Sequence, residues 1–343
     1  MSGKKRAAMI GFGGMGQRHY TAYQKIGVDV TAICDWDKPK IQKVLPDFSE
    51  EHSYNNYKDL LENENFDILS VVSNGPTHAE ITINASEHGV KNILCEKPIA
   101  TSLLDAQKVI DICEKNDTRL AVNHIRRWSS DYKKLKKMIK EDDIIGELRN
   151  FYFSCGSTGL GNFTIHFFDV MRYLTDSEPE WALGFLDKTG IPNPRGKQFV
   201  DPAGYGVVQF KNGVRAIIDT SEETGVQYLF QIVGKYGRII IDELNDFWQI
   251  RARNEEMRKL PLTRYGAAMD IVPFKIDSKF DIVDLTSNAL AELLSDGPIS
   301  CTGEDSMKAL EMVISFHISD EKGNEKVFFP LEEKHAGKGV LIA

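Results

Sequence analysis

The chain has 343 residues, of which 42% are hydrophobic and 27% are charged. These values are close to globular averages and argue against a collagen-like, coiled-coil or largely disordered chain, while the length favours two domains. With 42 Lys and Arg residues against 50 Asp and Glu residues, the formal net charge is -8, which argues against a nucleic-acid partner or an anionic membrane surface.

The first third of the chain alternates short apolar runs with stretches of helical periodicity. Strands are predicted at Ala7–Ile10, Val28–Cys34, Asp67–Val72, Asn92–Cys95 and Leu120–Asn123. Helices are predicted at Met15–Ile26, Lys38–Val44, Tyr57–Glu62, His78–His88 and Leu103–Asn116. This order is typical of an α/β domain with a doubly wound parallel sheet, which we place at residues 1–124.

A glycine-rich turn follows the first strand. The run Gly11-Phe12-Gly13-Gly14-Met15-Gly16 matches G-x-G-x-x-G and leads into the first predicted helix. The first glycine permits a tight turn, the second lets the backbone approach a pyrophosphate, and the third lets helix and strand pack closely. The free N–H groups at the start of the helix then bind the anion, so the turn predicts a dinucleotide site.

An acidic residue ends the second strand, 19 residues beyond Gly16. From that position the carboxylate of Asp35 can bind the ribose hydroxyls of a dinucleotide. The same carboxylate repels a 2′-phosphate, and the following Trp36 and Asp37 supply no arginine to neutralise it, although Lys38 argues the other way. We therefore expect NAD rather than NADP, with Trp36 beside the cofactor.

The run Cys95-Glu96-Lys97-Pro98 follows the fourth strand, at the edge where parallel sheets bind their ligands. A proline restricts the residue before it to extended geometry, which places Lys97 at the mouth of the crevice. Taken alone, such a run is more typical of a turn than of a catalytic device.

Beyond residue 124 the pattern changes. Strands are predicted at Glu147–Ser154, Gly206–Phe210, Val214–Thr220, Tyr228–Val233 and Arg238–Asp242, and helices at Asp131–Lys140, Phe280–Leu294 and Gly303–Ile318. Ile191–Pro202 is predicted to be a long loop. Residues 125–343 are therefore expected to form an α+β domain with a mostly antiparallel sheet.

Several of these motifs together resemble the glucose-fructose oxidoreductase and inositol dehydrogenase (Gfo/Idh/MocA) family. They are the glycine-rich turn, Glu96-Lys97-Pro98, Asn123 with Arg126-Arg127, Ile145-Gly146-Glu147 and His166-Phe167-Phe168-Asp169. A later turn at Gly234-Lys235-Tyr236-Gly237-Arg238 and a helix start at Gly303-Glu304-Asp305 also resemble the family. The resemblance implies an N-terminal Rossmann domain and a C-terminal sheet used for assembly into a homodimer or homotetramer. It also implies NAD(P)-linked oxidation or reduction of sugars, polyols and related alcohols.

The resemblance also implies catalytic roles. In that family the lysine of Glu-Lys-Pro contacts the nicotinamide ribose and the reacting oxygen, which assigns Lys97 as catalytic and Glu96 to the cofactor site. The family motif Asp-x-Gly-x-His-x-x-Asp corresponds to Asn162–Asp169, so Asn162 replaces an acid. Asn162 and His166 share a helical face; we expect His166 to handle the proton and Asn162 to bind a substrate hydroxyl. Asp169 either orients the imidazole or forms a structural contact.

The loop Ser73-Asn74-Gly75-Pro76-Thr77-His78 departs from the family's Thr-Pro-Asn-x-x-His but retains the histidine. Ser73, Asn74 and His78 are therefore expected to lie against the nicotinamide half of the cofactor.

Two features bear on the substrate. Only 20 residues separate Gly146 from His166, a short connection that is expected to open the cleft to a larger ligand, such as a nucleotide-linked sugar, or to a second subunit. Arg127, with Arg126 and Trp128, is expected to bind an anion and stack on a sugar ring. A salt bridge and a buried indole are the alternative for these residues.

The remaining residues point to no other chemistry. His19, His52, His88, His317 and His335 show no metal spacing and are expected on the surface. Five cysteines without a CxxC pair indicate neither a disulfide framework nor a zinc site, so no metal is expected. The absence of a long apolar run or a cleavage-site pattern favours a cytoplasmic protein without a membrane partner.

The leading hypothesis is an NAD-dependent oxidoreductase that transfers a hydride between nicotinamide and a secondary alcohol or ketone of a sugar, cyclitol or nucleotide-sugar derivative. It requires Lys97 and His166 to converge on one small volume. The alternatives are NAD-assisted elimination or epimerisation without net redox change, and a cofactor-binding regulator whose catalytic set has decayed, for which Asn162 is the only indication.

Overall fold

A computed structural model describes residues 4–156, 159–193 and 195–342, so Ser157, Thr158 and Pro194 of the connections discussed above lie outside the described residues. The strands are β1 Arg6–Ile10, β2 Asp29–Cys34, β3 Ser53–Tyr54, β4 Ile68–Val71, β5 Asn92–Cys95, β6 Arg119–Val122, β7 Leu148–Gly156, β8 Pro179–Leu186, β9 Gly204–Phe210, β10 Arg215–Ser221, β11 Leu229–Gly234, β12 Gly237–Asp242, β13 Phe247–Ala252, β14 Asp270–Val272 and β15 Val327–Phe328. The α-helices are α1 Gly14–Lys25, α2 Lys38–Val44, α3 Tyr57–Asn63, α4 Gly75–Glu87, α5 Leu103–Lys115, α6 Ser130–Lys140, α7 Ile165–Thr175, α8 Glu255–Arg258, α9 Ile282–Leu293 and α10 Gly303–Glu321.

The chain divides into two compact units. The first runs through Trp128 and includes Asp281–Leu310 and a C-terminal segment from Lys334; the second comprises Ser129–Phe280 and Glu311–Glu333. Residues of α9 and the following turn, such as Leu290 and Cys301, pack in the same apolar cluster as strand β1, which explains why this late segment joins the first unit. The predicted first domain, residues 1–124, does not include these two later segments, and its boundary stays a prediction.

The first unit contains a six-stranded sheet in the order β3-β2-β1-β4-β5-β6, with every neighbouring pair parallel. Strand β1 shows why helices cover both faces. Its residues Ala7 and Met9 pack in one apolar cluster, and Ala8 and Ile10 pack in another, because successive side chains of a strand point to opposite faces. The predicted doubly wound α/β fold is confirmed, and the carboxyl ends of β1, β4 and β5 meet at one edge.

The second unit contains a nine-stranded sheet in the order β14-β13-β12-β11-β7-β10-β9-β8-β15. Only the β7–β10 pair among these described strands is parallel, so the predicted mostly antiparallel sheet is confirmed. Strands β8, β13, β14 and β15 of this sheet were not predicted. Gly184 and Gly206 let Phe316 of α10 lie directly on the sheet, since a Cβ at either glycine would come within 2.6–2.9 Å of its ring.

Candidate active site

In the glycine-rich turn, two glycines are required by close packing and two others border open space. Gly11 has a φ of +100°, and a Cβ there would lie 2.4 Å from the carbonyl oxygen of Val72. A Cβ at Gly16 would lie 2.4 Å from the carbonyl oxygen of Gly11. Gly13 and Gly14 meet nothing within 4 Å. Packing inside the protein therefore requires the first and last glycines, whereas the middle of the turn leaves open space beside the start of α1, which fits a pyrophosphate.

The Asp35 carboxylate lies against this turn. Its Oδ2 accepts the N–H of Phe12 at 2.6 Å, and its Oδ1 accepts the N–H of Asp37 at 3.0 Å. Because an ionised carboxylate has about four acceptor positions, two backbone donors leave capacity for ribose hydroxyls. The adjoining Trp36 is 86% exposed. The structure thus brings Asp35 and the glycine-rich turn together, as the spacing predicted.

The side chain of His78 connects the loop after β4 to the turn after β5 through two hydrogen bonds. It is fully buried, with Nδ1 2.7 Å from the carbonyl oxygen of Pro98 and Nε2 2.9 Å from that of Ser73. Burial lowers the pKa of His78. Thr77 Oγ1 lies 2.7 Å from Ser73 Oγ and 2.8 Å from the Asn74 carbonyl oxygen, within hydrogen-bond distance of both. The described contacts of His78 order the loop, and contact of Ser73, Asn74 or His78 with the cofactor stays a prediction.

Glu96 and Lys97 follow β5, and the Lys97–Pro98 peptide is cis. Glu96 is 7% exposed and Lys97 is 9% exposed. Glu96 Oε1 accepts from Asn123 Nδ2 at 2.7 Å and lies 3.0 Å from His19 Nε2, while Oε2 accepts the N–H of Lys97 at 3.3 Å. Burial raises the pKa of Glu96, but hydrogen bonds from His19 and Asn123 and the charges of His19 and Lys97 lower it to about 2. The ionised carboxylate of Glu96 is therefore held next to the backbone N–H of Lys97.

The surface position expected for His19 is wrong. The residue is fully buried, and its Nδ1 lies 3.1 Å from Ser70 Oγ, which lies 2.8 Å from the Tyr23 hydroxyl. The spacing of Gly16, His19 and Tyr23 on α1 follows a helical face, and all three are buried. The helical periodicity of α1 indicates this burial in the sequence, whereas the lack of metal-ligand spacing carries no information about it.

In the second unit, a π-helical turn over Leu160–Thr164 leads into α7. The carboxylate of the buried Asp201 holds this turn, because Oδ1 accepts the N–H of Gly161 at 2.7 Å and Oδ2 that of Asn162 at 2.6 Å. A Cβ at Gly159 would lie 2.2 Å from Asp201 Oδ2. Sequence reasoning missed Asp201, which lies in the predicted long loop about forty residues from its partners.

His166 lies in the first turn of α7, with its ring centroid 6.3 Å from that of Phe163. Asp169, one turn later, is fully buried and lies 3.9 Å from Arg172. Arg172 also donates two hydrogen bonds to Glu178, at 2.8 and 2.7 Å. These contacts agree with the structural role considered for Asp169, and the choice between its two roles stays a prediction.

A cavity of about 610 Å³ in the second unit adjoins this turn. Its lining includes the candidate substrate ligand Asn162, and its charged lining residues in the described part of the chain are Asp187, Lys197, Asp201 and Glu222. Three carboxylates and one ammonium give the cavity an excess of negative charge.

The contact of Arg127 with substrate stays a prediction. Arg127 is buried, and its Nη2 donates to Asp305 at 3.1 Å within the first unit. Trp128 is buried as well, and its indole N–H donates to Glu292 at 2.9 Å. These contacts correspond to the alternative of a salt bridge and a buried indole, because the guanidinium is already engaged by an internal carboxylate.

The structure therefore gathers two sets of predicted residues. The first unit brings together the glycine-rich turn, Asp35, the Ser73 loop and Glu96-Lys97. The second places Asn162 in the π-helical turn and His166 in the first turn of α7, which follows it. The convergence of Lys97 with His166, which lie in different units, stays a prediction.

Two family models match this chain and together cover more than half of it. Residues 5–124 match the model described as "Oxidoreductase family, NAD-binding Rossmann fold", and residues 146–240 match the GFO/IDH/MocA C-terminal domain. The chain belongs to the Gfo/Idh/MocA family. It is accordingly an oxidoreductase-family protein with an NAD-binding Rossmann fold.

Individual relatives are distant. The myo-inositol 2-dehydrogenase of Thermotoga maritima is 27% identical over 258 residues, covering 70% of this chain and 76% of that protein. The D-apiose dehydrogenase of Paraburkholderia graminis is 23% identical over 350 residues, covering 93% and 88%. An Agrobacterium radiobacter oxidoreductase, solved with NAD+, L-tartaric acid and magnesium, superposes with a TM-score of 0.77 at 22% identity, covering 95% of this chain and 98% of that one. Such a likeness shows the fold.

The described residues contain neither a membrane-spanning helix nor a metal-binding cluster. Within residues 4–156, 159–193 and 195–342, no helix combines the length and apolar character that crossing a bilayer demands. The same part of the chain contains no group of three or more His, Cys, Asp or Glu side chains arranged to hold a metal ion.

Proposed function

We propose that this protein is an NAD-dependent dehydrogenase that interconverts a secondary alcohol and a ketone on a neutral sugar or cyclitol. The observation that carries the proposal is the arrangement at the edge of the parallel sheet. There, the open glycine-rich turn follows β1, and the Asp35 carboxylate follows the neighbouring β2. The buried Glu96-Lys97 turn follows β5, two strands from β1 in the sheet order. The family membership and the dehydrogenase relatives support the reaction class.

The residues present fit a nicotinamide dinucleotide. The start of α1 would hold the pyrophosphate, Asp35 the ribose hydroxyls, and Trp36 offers an exposed ring beside them. The bound cofactor would supply or accept the hydride. The preference for NAD over NADP is supported by Asp35, because a 2′-phosphate would face a carboxylate already held by two backbone N–H groups.

Three side chains would act on the substrate. The Lys97 ammonium would stabilise negative charge developing on the reacting oxygen. His166, whose type of side chain titrates near neutral pH, would accept or return the hydroxyl proton. Asn162 would bind a neighbouring hydroxyl, since an amide both donates and accepts but does not exchange a proton as a carboxylic acid does.

The charge of the cavity beside Asn162 supports a neutral substrate. Hydroxyl groups donate well to carboxylates, and Asp187, Asp201 and Glu222 all line the cavity. An anionic ligand would meet these three charges and a single opposing Lys197. The negative charge of the cavity therefore favours a free sugar or cyclitol as substrate. It argues against the nucleotide-linked sugar that the short connection before His166 indicated.

The test is the initial rate of NADH formation with a panel of neutral sugars and cyclitols, each paired with its uronate, phosphate or nucleotide-linked derivative. We expect a higher kcat/KM for the neutral member of each pair, and for NAD+ than for NADP+. A preference for the charged members would refute the substrate class. Product formed without net NADH would instead indicate NAD-assisted chemistry, and bound NAD with no consumption of any panel member would indicate a regulator.

A further inference from the structure

A buried chain of polar groups connects α1 to the Lys97 turn. It runs from the Tyr23 hydroxyl to Ser70 Oγ at 2.8 Å, from Ser70 to His19 Nδ1 at 3.1 Å, and from His19 Nε2 to Glu96 Oε1 at 3.0 Å. Asn123 donates to the same Glu96 oxygen at 2.7 Å. Tyr23, Ser70 and His19 are fully excluded from solvent. Buried polar networks of this kind are strongly directional, because every missing partner is costly.

The ionised carboxylate sets the direction of one hydrogen bond in this chain, because it can only accept. With Glu96 ionised, His19 carries a proton on Nε2 and donates it to Oε1. Its other ring nitrogen, Nδ1, faces the Ser70 hydroxyl, which also pairs with the Tyr23 hydroxyl. The two ring nitrogens therefore have different tasks, since Nε2 faces the carboxylate and Nδ1 faces the serine.

The orientation of the Glu96 carboxylate in turn affects Lys97. Glu96 Oε1 is held by His19 and Asn123, which leaves Oε2 directed at the backbone N–H of Lys97. A carboxylate that loses one buried donor must rotate toward another or take up a proton, because an unsatisfied buried charge is costly. Either response disturbs the contact with Lys97. Since α1 also begins at the glycine-rich turn, the same helix forms the cofactor cradle and carries the group that fixes Glu96.

We propose that His19 is a positioning residue that acts through Glu96 to orient Lys97 for the reaction. The proposal rests on the proposed function, in which Lys97 is the group that touches the substrate oxygen. Nothing in the role requires His19 to contact substrate or cofactor, and its complete burial agrees with that.

Two substitutions separate the tasks of the ring nitrogens. In His19→Gln the side-chain amide can place a donor near the position of Nε2 and keep the bond to Glu96. In His19→Asn the shorter amide reaches only toward Ser70 and leaves Glu96 without that donor. We expect kcat to fall by about 10- to 100-fold in His19→Asn and by no more than about threefold in His19→Gln, with KM for NAD within about twofold in both.

A matched control is available in the same unit. His52 Nδ1 lies 2.6 Å from Glu64 Oε1, so His52→Asn removes a second histidine–glutamate contact of similar type at a partly exposed position. We expect kcat of His52→Asn to equal that of the wild type. If His19→Asn and His19→Gln lose kcat equally, or if His19→Asn retains wild-type kcat, the proposal is wrong.

A second readout does not depend on turnover. An amine-reactive acylating reagent modifies lysine side chains at a rate that depends on their environment. Mass spectrometry measures the rate at Lys97 relative to that at the exposed Lys43, and this ratio reports the environment of the Lys97 amine. We expect this ratio to change at least about threefold in His19→Asn and to stay near the wild-type value in His19→Gln and His52→Asn. Should the wild type oxidise no sugar, the proposed function fails, while the labelling ratio still decides whether His19 sets the environment of Lys97. An unchanged ratio in His19→Asn overturns the proposal.

Discussion

The two units hold their candidate catalytic residues by different means. At Lys97 the support is polar, because Glu96 is fixed by donors from His19 and Asn123 and in turn accepts the lysine N–H. At His166 the support is largely aromatic, since Phe167 of the same helix stacks on Phe153 with ring centroids 4.1 Å apart.

The difference has a consequence for function. Hydrogen bonds fix direction as well as position, so a residue in the Glu96 network has few acceptable replacements. Aromatic packing fixes the helix but not the chemistry of the side chains on its other face. An amide at position 162, where the family motif has an acid, therefore leaves the aromatic support of α7 intact.

The sharpest test of this contrast is removal of the supported group itself. Lys97→Ala should lower kcat by about 10³-fold, the range expected when a charge-stabilising acid–base group is lost. The Kd for NAD should change by no more than about threefold, since the glycine-rich turn and Asp35 are untouched. Stopped-flow turnover and NADH fluorescence titration measure the two quantities. A wild-type kcat in this variant would remove Lys97 from the mechanism.

Local patterns were sufficient to predict where the residues of the first unit's candidate site lie. Alternating apolar runs located β1 and β5, and the fixed offset between Gly16 and Asp35 correctly predicted a carboxylate beside the turn. These features are local because each depends on residues within one strand–turn–helix segment.

Contacts between distant segments were not predictable in this way. The polar partners of His19 come from β4 and from the turn after β5, 51 and 77 residues away, so its burial depends on the assembled sheet. Asp201 reaches Asn162 from a loop whose proline and glycine content indicated only irregular backbone. Strand β8 begins at a proline, which weakens a strand assignment from sequence.

The polar support should also be visible in stability at acid pH. The pKa of Glu96 is lowered from 4.5 to about 2, so its ionised form stabilises the fold above pH 4.5, and that contribution disappears as the pH falls from 4.5 through 2. Removing the carboxylate in Glu96→Gln should cost on the order of 3 kcal/mol at neutral pH, and this gap should shrink steadily below pH 4.5. Urea unfolding at a series of pH values measures it. A gap independent of pH would mean that Glu96 is not an ionised support in the folded protein.

The smallest effect is expected at the turn that carries Asn162. An asparagine at position 201 offers one acceptor oxygen where the carboxylate offers two, so Asp201→Asn leaves either Gly161 or Asn162 with an unsatisfied N–H, at a cost of about 1–2 kcal/mol. We expect KM for the sugar to rise severalfold and KM for NAD to stay constant, because the turn and the cofactor residues lie in different units.

Asp187→Asn serves as the control for Asp201→Asn, since Asp187 lines the same cavity but holds a different backbone group, the N–H of Glu222. If the lost negative charge were responsible, both variants would raise KM alike and neither would lower stability preferentially. A loss of urea stability and a rise in KM confined to Asp201→Asn would show that this carboxylate acts by holding the turn. Aromatic packing alone would then be insufficient to hold the segment that leads into α7, because the Asp201 carboxylate is also needed. Both units would rely on polar contacts, and they would differ only in how many they use.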